Sequence, residues 1–250
     1  MTEFHNKTIL ITGASRGLGR QIALKYAAVG ANVVVNYSHS SQDANDVIVE
    51  VENIGGKAIA LQADISNSVQ VNNLLEKTRK IYGAIDILIN NAGVSIDAPF
   101  LEMTEQNWDR VFEVNLKGAF LVSQAVARQL VSLNRNGIIV NISATTAFSG
   151  RKNAANYCSS KAGLNMLTKC MALELAPNIR VNGIGLGYVD SNLVNQLYSR
   201  QQLDDVIDTT PLKRMTSYIE VANFIKLITS KSASFVTGQT IAFDGGRTMR

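Results

Sequence analysis

A tyrosine and a lysine four residues apart are the side chains in this sequence best suited to chemistry. Tyr157 and Lys161 share a stretch with a helical pattern. Residues i and i+4 of a helix lie on one face, so the ammonium group should lie near the phenol. A nearby positive charge lowers the pKa of a phenol from about 10 toward the working range of a general acid. A tyrosine alone also fits a buried structural role, so the interpretation depends on a second motif.

That second motif is a glycine-rich turn at residues 12–19, which reads Thr-Gly-Ala-Ser-Arg-Gly-Leu-Gly between an apolar run and a helical pattern. Glycines let the backbone approach a pyrophosphate, and a helix N-terminus offers free N–H groups and partial positive charge. The turn therefore predicts a dinucleotide site formed by Gly13, Ser15, Arg16, Gly17, Leu18 and Gly19. A nucleotide site and a Tyr–Lys pair together predict joint transfer of a hydride and a proton.

Two later strand ends add candidate contacts to the same cofactor. Asp64 ends the third expected strand, where its carboxylate can accept the adenine amino hydrogen, and Ile65 follows it. The fourth strand ends in small residues that leave room for a flat ring or a ribose. The candidates there are Asn91, Ala92 and Gly93.

The end of the second strand favours NADP over NAD. An NAD site usually presents an acidic residue there to bind the ribose 2′-hydroxyl. This chain has Asn36 followed by Tyr37 and Ser38, and the next carboxylate is Asp43. Arg16 can bind a 2′-phosphate bidentately, although a solvated loop charge is the alternative. We therefore predict NADP as cofactor, with Asn36 and Ser38 at the adenosine end.

Composition excludes several classes of protein. The chain has 250 residues, of which 46% are hydrophobic and 18% charged, and its net charge is +4. These values fit one folded α/β domain, and the scattered basic residues do not predict a nucleic-acid partner. The N-terminus has no apolar signal region and no run is long enough to span a membrane, so a cytoplasmic protein is expected. Cys158 and Cys170 have no metal-like spacing, and no metal site is expected.

Short Val- and Ile-rich runs alternate with helical patterns along residues 1–250. Strands are expected at 7–12, 31–36, 57–62, 85–90, 137–143, 179–184 and 239–243, and helices at 17–29, 41–54, 66–82, 105–133, 156–175 and 219–228. This alternation predicts a single doubly wound α/β domain of Rossmann type, with a parallel sheet of about seven strands covered by helices on both faces. The polar stretch 188–213 interrupts the pattern and is expected to form a loop region that covers the substrate.

Taken together, these motifs resemble the short-chain dehydrogenase/reductase family over the whole chain, and most closely its 3-oxoacyl-[acyl-carrier-protein] reductases. The resemblance rests on residues 12–19, 90–93, 115–118, 156–163, 180–182, 237–239 and 244–246. It implies that Tyr157 donates a proton to a carbonyl oxygen while NADPH delivers hydride to the carbon. It also implies that Lys161 binds the nicotinamide ribose, that Asn115 holds a water linking Lys161 to solvent, and that Gly187, Val189 and Ser191 lie at the nicotinamide.

Three departures from that family's pattern surround the substrate. The family has a serine thirteen residues before the tyrosine, where this chain has Ala144. Ser143 is our candidate for the missing hydroxyl, Thr145 is the alternative, and the role can also be empty. Leu186 stands where a proline is usual. The connection at 176–179 is one residue shorter and lacks a basic residue that docks the acyl carrier protein, although Arg135 stands near the other docking position.

The resulting hypothesis is an NADP-dependent reductase of a ketone or 3-oxoacyl thioester. A reductase or dehydrogenase of another small carbonyl or alcohol is the alternative within enzymes, and a nucleotide-binding protein with little turnover is the alternative outside them. An acyl carrier protein is a candidate partner. The resemblance also implies a homotetramer whose shared surfaces are the helical regions 105–133 and 156–175.

Overall fold

The computed structural model describes residues 2–190 and 199–249. All seven strands of its sheet are parallel, in the order β3-β2-β1-β4-β5-β6-β7. The strands are β1 Thr8–Ile11, β2 Asn32–Tyr37, β3 Lys57–Gln62, β4 Ile87–Asn90, β5 Gly137–Ala144, β6 Ile179–Leu186 and β7 Thr240–Phe243.

Nine α-helices lie within the described ranges and pack on both faces of this sheet. They are α1 Gly17–Ala27, α2 Ser41–Asn53, α3 Ser68–Tyr82, α4 Glu105–Phe112, α5 Ala119–Ser132, α6 Thr146–Ser149, α7 Ala155–Leu175, α8 Arg200–Thr209 and α9 Tyr218–Ile228. Short 3-10 turns at Phe100–Glu102 and Lys231–Ala233 complete the connections.

The central strands are buried on both faces because their side chains alternate between two apolar cores, whereas the edge strands β3 and β7 are only partly buried. In β1, Ile9 and Ile11 join the core that contains Tyr26, whereas Leu10 between them joins the opposite core with Leu130. This alternation follows from the two-residue period of a strand. It explains why the strand sequences are continuously apolar, and it confirms the predicted doubly wound α/β domain.

One long helix expected from the sequence is divided in the structure. The region 105–133 forms α4, then a π-helical segment at Glu113–Gly118, and then α5. Gly118 allows the segment to pack closely, since a Cβ there would lie 2.7 Å from Cδ1 of Ile65. π-Helical turns occur often at functional sites because they rotate the side chains that they carry.

The stretch 188–213 also differs in part from the expected loop. Helix α8 begins with a capping box, in which Ser199 and Gln202 bind each other's backbone N–H groups. Residues 191–198, including Ser191, lie outside the described part of the chain, so covering of the substrate by this region stays a prediction. Within the described ranges, no helix has the length and apolar character needed to cross a bilayer.

The sheet topology determines where a site can form. The chain proceeds outward from β1 to β2 and β3, then returns to β4 on the other side of β1. In open parallel sheets, ligands bind at the carboxyl ends of the strands where the order reverses. The loops after β1 and β4 therefore border the crevice, and β5 and β6 end beside it.

Candidate active site

Lys161 and Tyr157 project from helix α7 beside the carboxyl end of β5. The lysine is only 4% exposed, and its Nζ donates a 2.7 Å hydrogen bond to the carbonyl oxygen of Ile142. Nζ lies 5.8 Å from the centre of the Tyr157 ring. Burial lowers the pKa of Lys161 to about 8. The ammonium is thus fixed against the phenol ring by a strand that belongs to the central sheet.

Asn115 joins this pair from the π-helical segment. Its Oδ1 accepts a 2.8 Å hydrogen bond from the Val94 N–H, and its Nδ2 donates to Val94 O at 2.9 Å and to Ser160 Oγ at 3.1 Å. Gly93 leaves the space between the groups, since a Cβ there would lie 3.2 Å from Asn115 Oδ1 and 3.4 Å from Lys161 Nζ. The structure therefore brings together Tyr157, Lys161, Asn115 and Gly93, as the sequence motifs require.

The glycine turn is attached rigidly to the end of β4. Thr12 Oγ1 accepts hydrogen bonds from the N–H groups of Asn91 and Ala92, both at 3.0 Å. In return, Asn91 Nδ2 donates to the carbonyl oxygens of Thr12 and Gly13. Gly13 has a positive φ of 61°, and a Cβ there would lie 2.9 Å from Ala92 Cα. A side chain at this position would separate the two loops that form the crevice.

The residues of this turn fit a dinucleotide phosphate. Arg16 occupies the N-cap of α1 and is exposed, and its guanidinium has no hydrogen-bond or ion-pair partner in the described parts of the chain. The first turn of α1 contains no acidic residue that would repel an anion. Gly19 lets the helix begin close to the turn, since a Cβ there would lie 2.5 Å from Gly13 O. Leu18 is buried, and Ser15 is half-buried within the turn.

The predicted adenosine contacts fall into two groups. Asn36 is buried, and its amide donates to the carbonyl oxygens of Leu61 and Ala63, so it holds the ends of β2 and β3 together. Ser38 is exposed at the same end, with its Oγ 2.8 Å from His39 Nδ1. Direct contact of either residue with a nucleotide stays a prediction.

Asp64 and Ile65 lie in the loop that follows β3, two and three residues beyond the end of the strand. The backbone N–H and hydroxyl of Ser66 both donate to Asp64 Oδ1. Burial alone would raise the pKa of the Asp64 carboxyl, but these hydrogen bonds and the Arg110 charge outweigh it, so the pKa lies below its usual value. Asp64 is therefore ionised and half-exposed, as an acceptor for an adenine amino group must be. Ile65 is buried near Gly118.

The hydroxyls considered as replacements for the family serine are both engaged with main-chain carbonyls. Ser143 Oγ lies 3.4 Å from the carbonyl oxygen of Lys161, and Thr145 Oγ1 donates to Leu186 O at 3.2 Å. Ala144 between them pairs with Leu186 in the sheet. Gly187 and Val189 follow β6 at the crevice. The Gly187 N–H donates a hydrogen bond to the carbonyl oxygen of Phe243, the last residue of β7. Their contact with a nicotinamide stays a prediction.

Comparison with known proteins decides the family. Residues 7–202 match the short chain dehydrogenase family, which covers more than half of the chain. The chain belongs to the short-chain dehydrogenase/reductase family. Its members are oxidoreductases that use a nicotinamide cofactor, and the glycine turn and the Tyr–Lys pair of this chain lie where such a cofactor and its substrate would meet.

Relatives of this short-chain dehydrogenase differ in what they act on. It is 39% identical to a 3-oxoacyl-[acyl-carrier-protein] reductase from Staphylococcus epidermidis, over 98% of this chain and 100% of that protein. A gluconate 5-dehydrogenase from Burkholderia cenocepacia, solved in complex with NADP and tartrate, is 31% identical with a TM-score of 0.92, over 98% of this chain and 96% of that one. A short-chain type dehydrogenase/reductase from Mycobacterium marinum is 34% identical with a TM-score of 0.91, over 99% of this chain and 97% of that one.

One side chain near the Tyr157 ring was missed by sequence reasoning. The Arg151 guanidinium carbon lies 5.6 Å from the ring centre, and Nη2 donates to Asp97 Oδ1 at 2.9 Å and to Ser95 Oγ at 3.2 Å. These contacts join the loops after β4 and β5. Arg151 precedes the tyrosine by six residues, but a charged loop residue alone is not a specific signal in the sequence.

Arg135, considered above as a docking residue for an acyl carrier protein, forms an ion pair within the chain. Its Nη2 lies 2.7 Å from Asp86 Oδ1, and Lys7 contacts the same carboxylate at 3.2 Å. Asp86 also accepts a hydrogen bond from the Thr8 N–H. The cluster ties the amino ends of β1 and β4 together, at the edge of the sheet opposite the crevice.

Proposed function

We propose that this short-chain dehydrogenase reduces a ketone or a 3-oxoacyl thioester to the hydroxy compound with NADPH, and that Tyr157 is the proton donor. The observation that carries the proposal is the buried Lys161 ammonium held against the Tyr157 ring beside the glycine turn. Burying an ammonium is costly unless it is paired and hydrogen-bonded, and among the described residues Lys161 has no carboxylate partner. A site for proton donation explains why this fold retains it.

In this proposal each residue has one task. NADPH, when bound, supplies the hydride that attacks the carbonyl carbon. Tyr157 gives its phenolic proton to the carbonyl oxygen, and Lys161 stabilises the phenolate left behind by its positive charge. Asn115 holds the loop at Val94 in position, so that the crevice keeps its shape beside the lysine. The Ile142 carbonyl fixes the direction of Nζ.

The preference for NADPH over NADH is supported by charge at the adenosine end. No carboxylate side chain occupies the end of β2, where Asn36, Ser38 and His39 stand. Arg16 offers a guanidinium that has no carboxylate partner within residues 2–190 and 199–249. A 2′-phosphate would therefore meet one cation and no adjacent anion, whereas an NAD site uses an acid at this position.

A second candidate substrate is a small oxo acid, favoured by Arg151. Its guanidinium carbon lies 5.6 Å from the centre of the Tyr157 ring, so it brings positive charge close to the proposed proton donor. A gluconate 5-dehydrogenase is among the similar structures. If the substrate carries a carboxylate, Arg151→Gln should raise KM for that substrate roughly 10-fold or more, since a charge-assisted hydrogen bond contributes about 1.5–3 kcal/mol. KM for a neutral ester of the same acid should change little.

The direct test is NADPH oxidation, followed by absorbance, with a panel of 3-oxoacyl thioesters, simple ketones and oxo acids. Turnover of thioesters or ketones supports the leading proposal, and turnover confined to oxo acids supports the second candidate. If NADPH binds and no carbonyl compound is reduced, the protein is a nucleotide-binding member of the family without this activity, and the proposal fails.

We further propose a homotetramer assembled through α5 and α7. Phe112, Leu116, Phe120, Met166 and Leu167 line an open groove between these helices and the π-helical segment. Exposed apolar groups of this size mark interaction surfaces. Light scattering of wild-type protein and of Phe120→Glu tests it, since the charge should dissociate the assembly. An acyl carrier protein as partner is a separate proposal, tested by comparing carrier-bound and free thioesters in the same turnover assay.

A further inference from the structure

The first residue of helix α6, Thr146, has a hydroxyl that is left unpaired by the part of the chain that the structure describes. Its Oγ1 is buried and has no hydrogen-bond partner there. Buried polar atoms in folded proteins are nearly always paired, so an unpaired one requires an explanation. Among the described residues, Thr240 on β7 has the other such hydroxyl, and it lies against Gly183 within the sheet. Thr146 differs because it follows β5 at the edge where the site forms.

Other buried hydroxyls close to the Tyr–Lys pair bind main-chain carbonyls. Ser143 faces the Lys161 carbonyl, Thr145 donates to Leu186, and Ser160 Oγ donates to Tyr157 O at 2.7 Å. Each would lose an existing contact if it turned toward a substrate. Thr146 would lose none.

The position of Thr146 suits contact with a substrate. Helix α6 begins two residues after the end of β5 and packs against α7, the helix that carries Tyr157. Reduction of a carbonyl group places developing negative charge on its oxygen. One donor there is the tyrosine, and a second fixed donor adds a large stabilisation of the transition state. Ala144, at the end of β5, has no hydroxyl and cannot be this second donor.

We propose that the Thr146 hydroxyl is this second donor, which binds the carbonyl oxygen of the substrate opposite Tyr157. The inference rests on the proposed reductase function and names a further catalytic residue within it. It explains the unpaired hydroxyl, since the partner is a substrate oxygen. It also explains how the chain tolerates alanine at position 144.

The test replaces Thr146 by valine, which has the same shape without the hydroxyl. With a carbonyl substrate that the wild type reduces, Thr146→Val should lower kcat/KM by roughly 10²–10³-fold. Affinity for NADPH should not change. The melting temperature should stay equal or rise, because no hydrogen bond within the protein is lost. Thr146→Ser should retain most of the activity.

Thr145→Val is the matched control, since it removes the neighbouring hydroxyl that does bind the protein. It should lower the melting temperature through loss of the Leu186 contact. The double variant Ala144→Ser/Thr146→Val should have a kcat/KM at least roughly 10-fold higher than that of Thr146→Val alone, because the serine introduced at position 144 supplies a hydroxyl from the adjacent strand end. Retained turnover in Thr146→Val, or a loss of activity that parallels a fall in melting temperature, overturns the inference.

A binding measurement keeps the inference independent of turnover. A 3-hydroxyacyl thioester titrated into the NADPH-loaded protein should bind roughly 5- to 10-fold more weakly to Thr146→Val, the amount expected for one neutral hydrogen bond. Equal affinity of wild type and variant overturns the role of Thr146. Absence of any carbonyl reduction by the wild type, with this affinity difference present, overturns the reductase proposal alone.

Discussion

Replacing Lys161 by methionine should stabilise the protein at neutral pH while removing its activity. The lysine is 4% exposed, donates to the Ile142 carbonyl, and has no carboxylate partner among the described residues. Its pKa falls from 10.5 to about 8, with burial as the cause. The folded state therefore carries a charge that the unfolded chain holds more easily in water. Methionine keeps the length of the side chain without the charge.

The size of the effect follows from the pKa difference. Each pKa unit corresponds to about 1.4 kcal/mol, so the lysine destabilises the folded state by about 3 kcal/mol below pH 8. Between pH 8 and 10.5 the unfolded chain binds more protons than the folded protein, so this cost disappears as pH rises. Loss of the Ile142 hydrogen bond costs the variant about 1 kcal/mol. Lys161→Met should thus be about 2 kcal/mol more stable at pH 7, and this advantage should vanish at about pH 10, where the remaining cost of the charge equals the ~1 kcal/mol of the lost hydrogen bond.

The assay is thermal unfolding of both proteins without cofactor, at one concentration, from pH 6.5 to 10.5. In a chain of this size the expected gap at pH 7 corresponds to roughly 4–8 °C. Lys169→Met, which changes an exposed lysine of the same helix, is the control and should show no gap that depends on pH. A variant less stable than wild type at every pH, or a gap that does not change with pH, would refute the reasoning.

Two further predictions concern the cofactor. Arg16→Ala should weaken NADPH binding about 10-fold or more and leave NADH binding nearly unchanged, since it removes a charge-assisted contact to a 2′-phosphate; fluorescence titration with both cofactors measures this, and equal losses would contradict it. Gly13→Ala should weaken both cofactors alike by at least roughly 10-fold, because its φ is positive and its Cβ would meet Ala92. Gly55→Ala is the control for positive φ alone, since nothing lies within 4 Å of its Cβ, and it should bind both cofactors as wild type does.

Sequence patterns predicted the strands and most helices to within a few residues, because continuous apolar runs such as β1 are required by burial on both faces. The π-helical segment at Glu113–Gly118 could not be predicted. One extra residue in a turn leaves the apolar periodicity of the region 105–133 almost unchanged, while it changes where Asn115 points. Helix α8 could have been found, since Ser199 and Gln202 have the spacing of a capping box.

The candidate site was predictable where residue type alone fixes the chemistry, as for Tyr157, Lys161 and the glycines. It was not predictable where the role depends on which polar atoms are already paired. Ser143, Thr145 and Thr146 are equivalent hydroxyls in the sequence, and only their partners distinguish them. Asn36 likewise reads as a cofactor contact, but its amide binds the ends of two strands.

The central claim is that Tyr157 donates the proton in an NADPH-dependent reduction, and Tyr157→Phe tests it most directly. Turnover and NADPH affinity should be measured side by side, on a carbonyl substrate that the wild type reduces. We predict that the variant loses turnover by at least roughly 10³-fold and binds NADPH within about threefold of wild type, because only the hydroxyl is removed. A variant that keeps most of its turnover would contradict the claim.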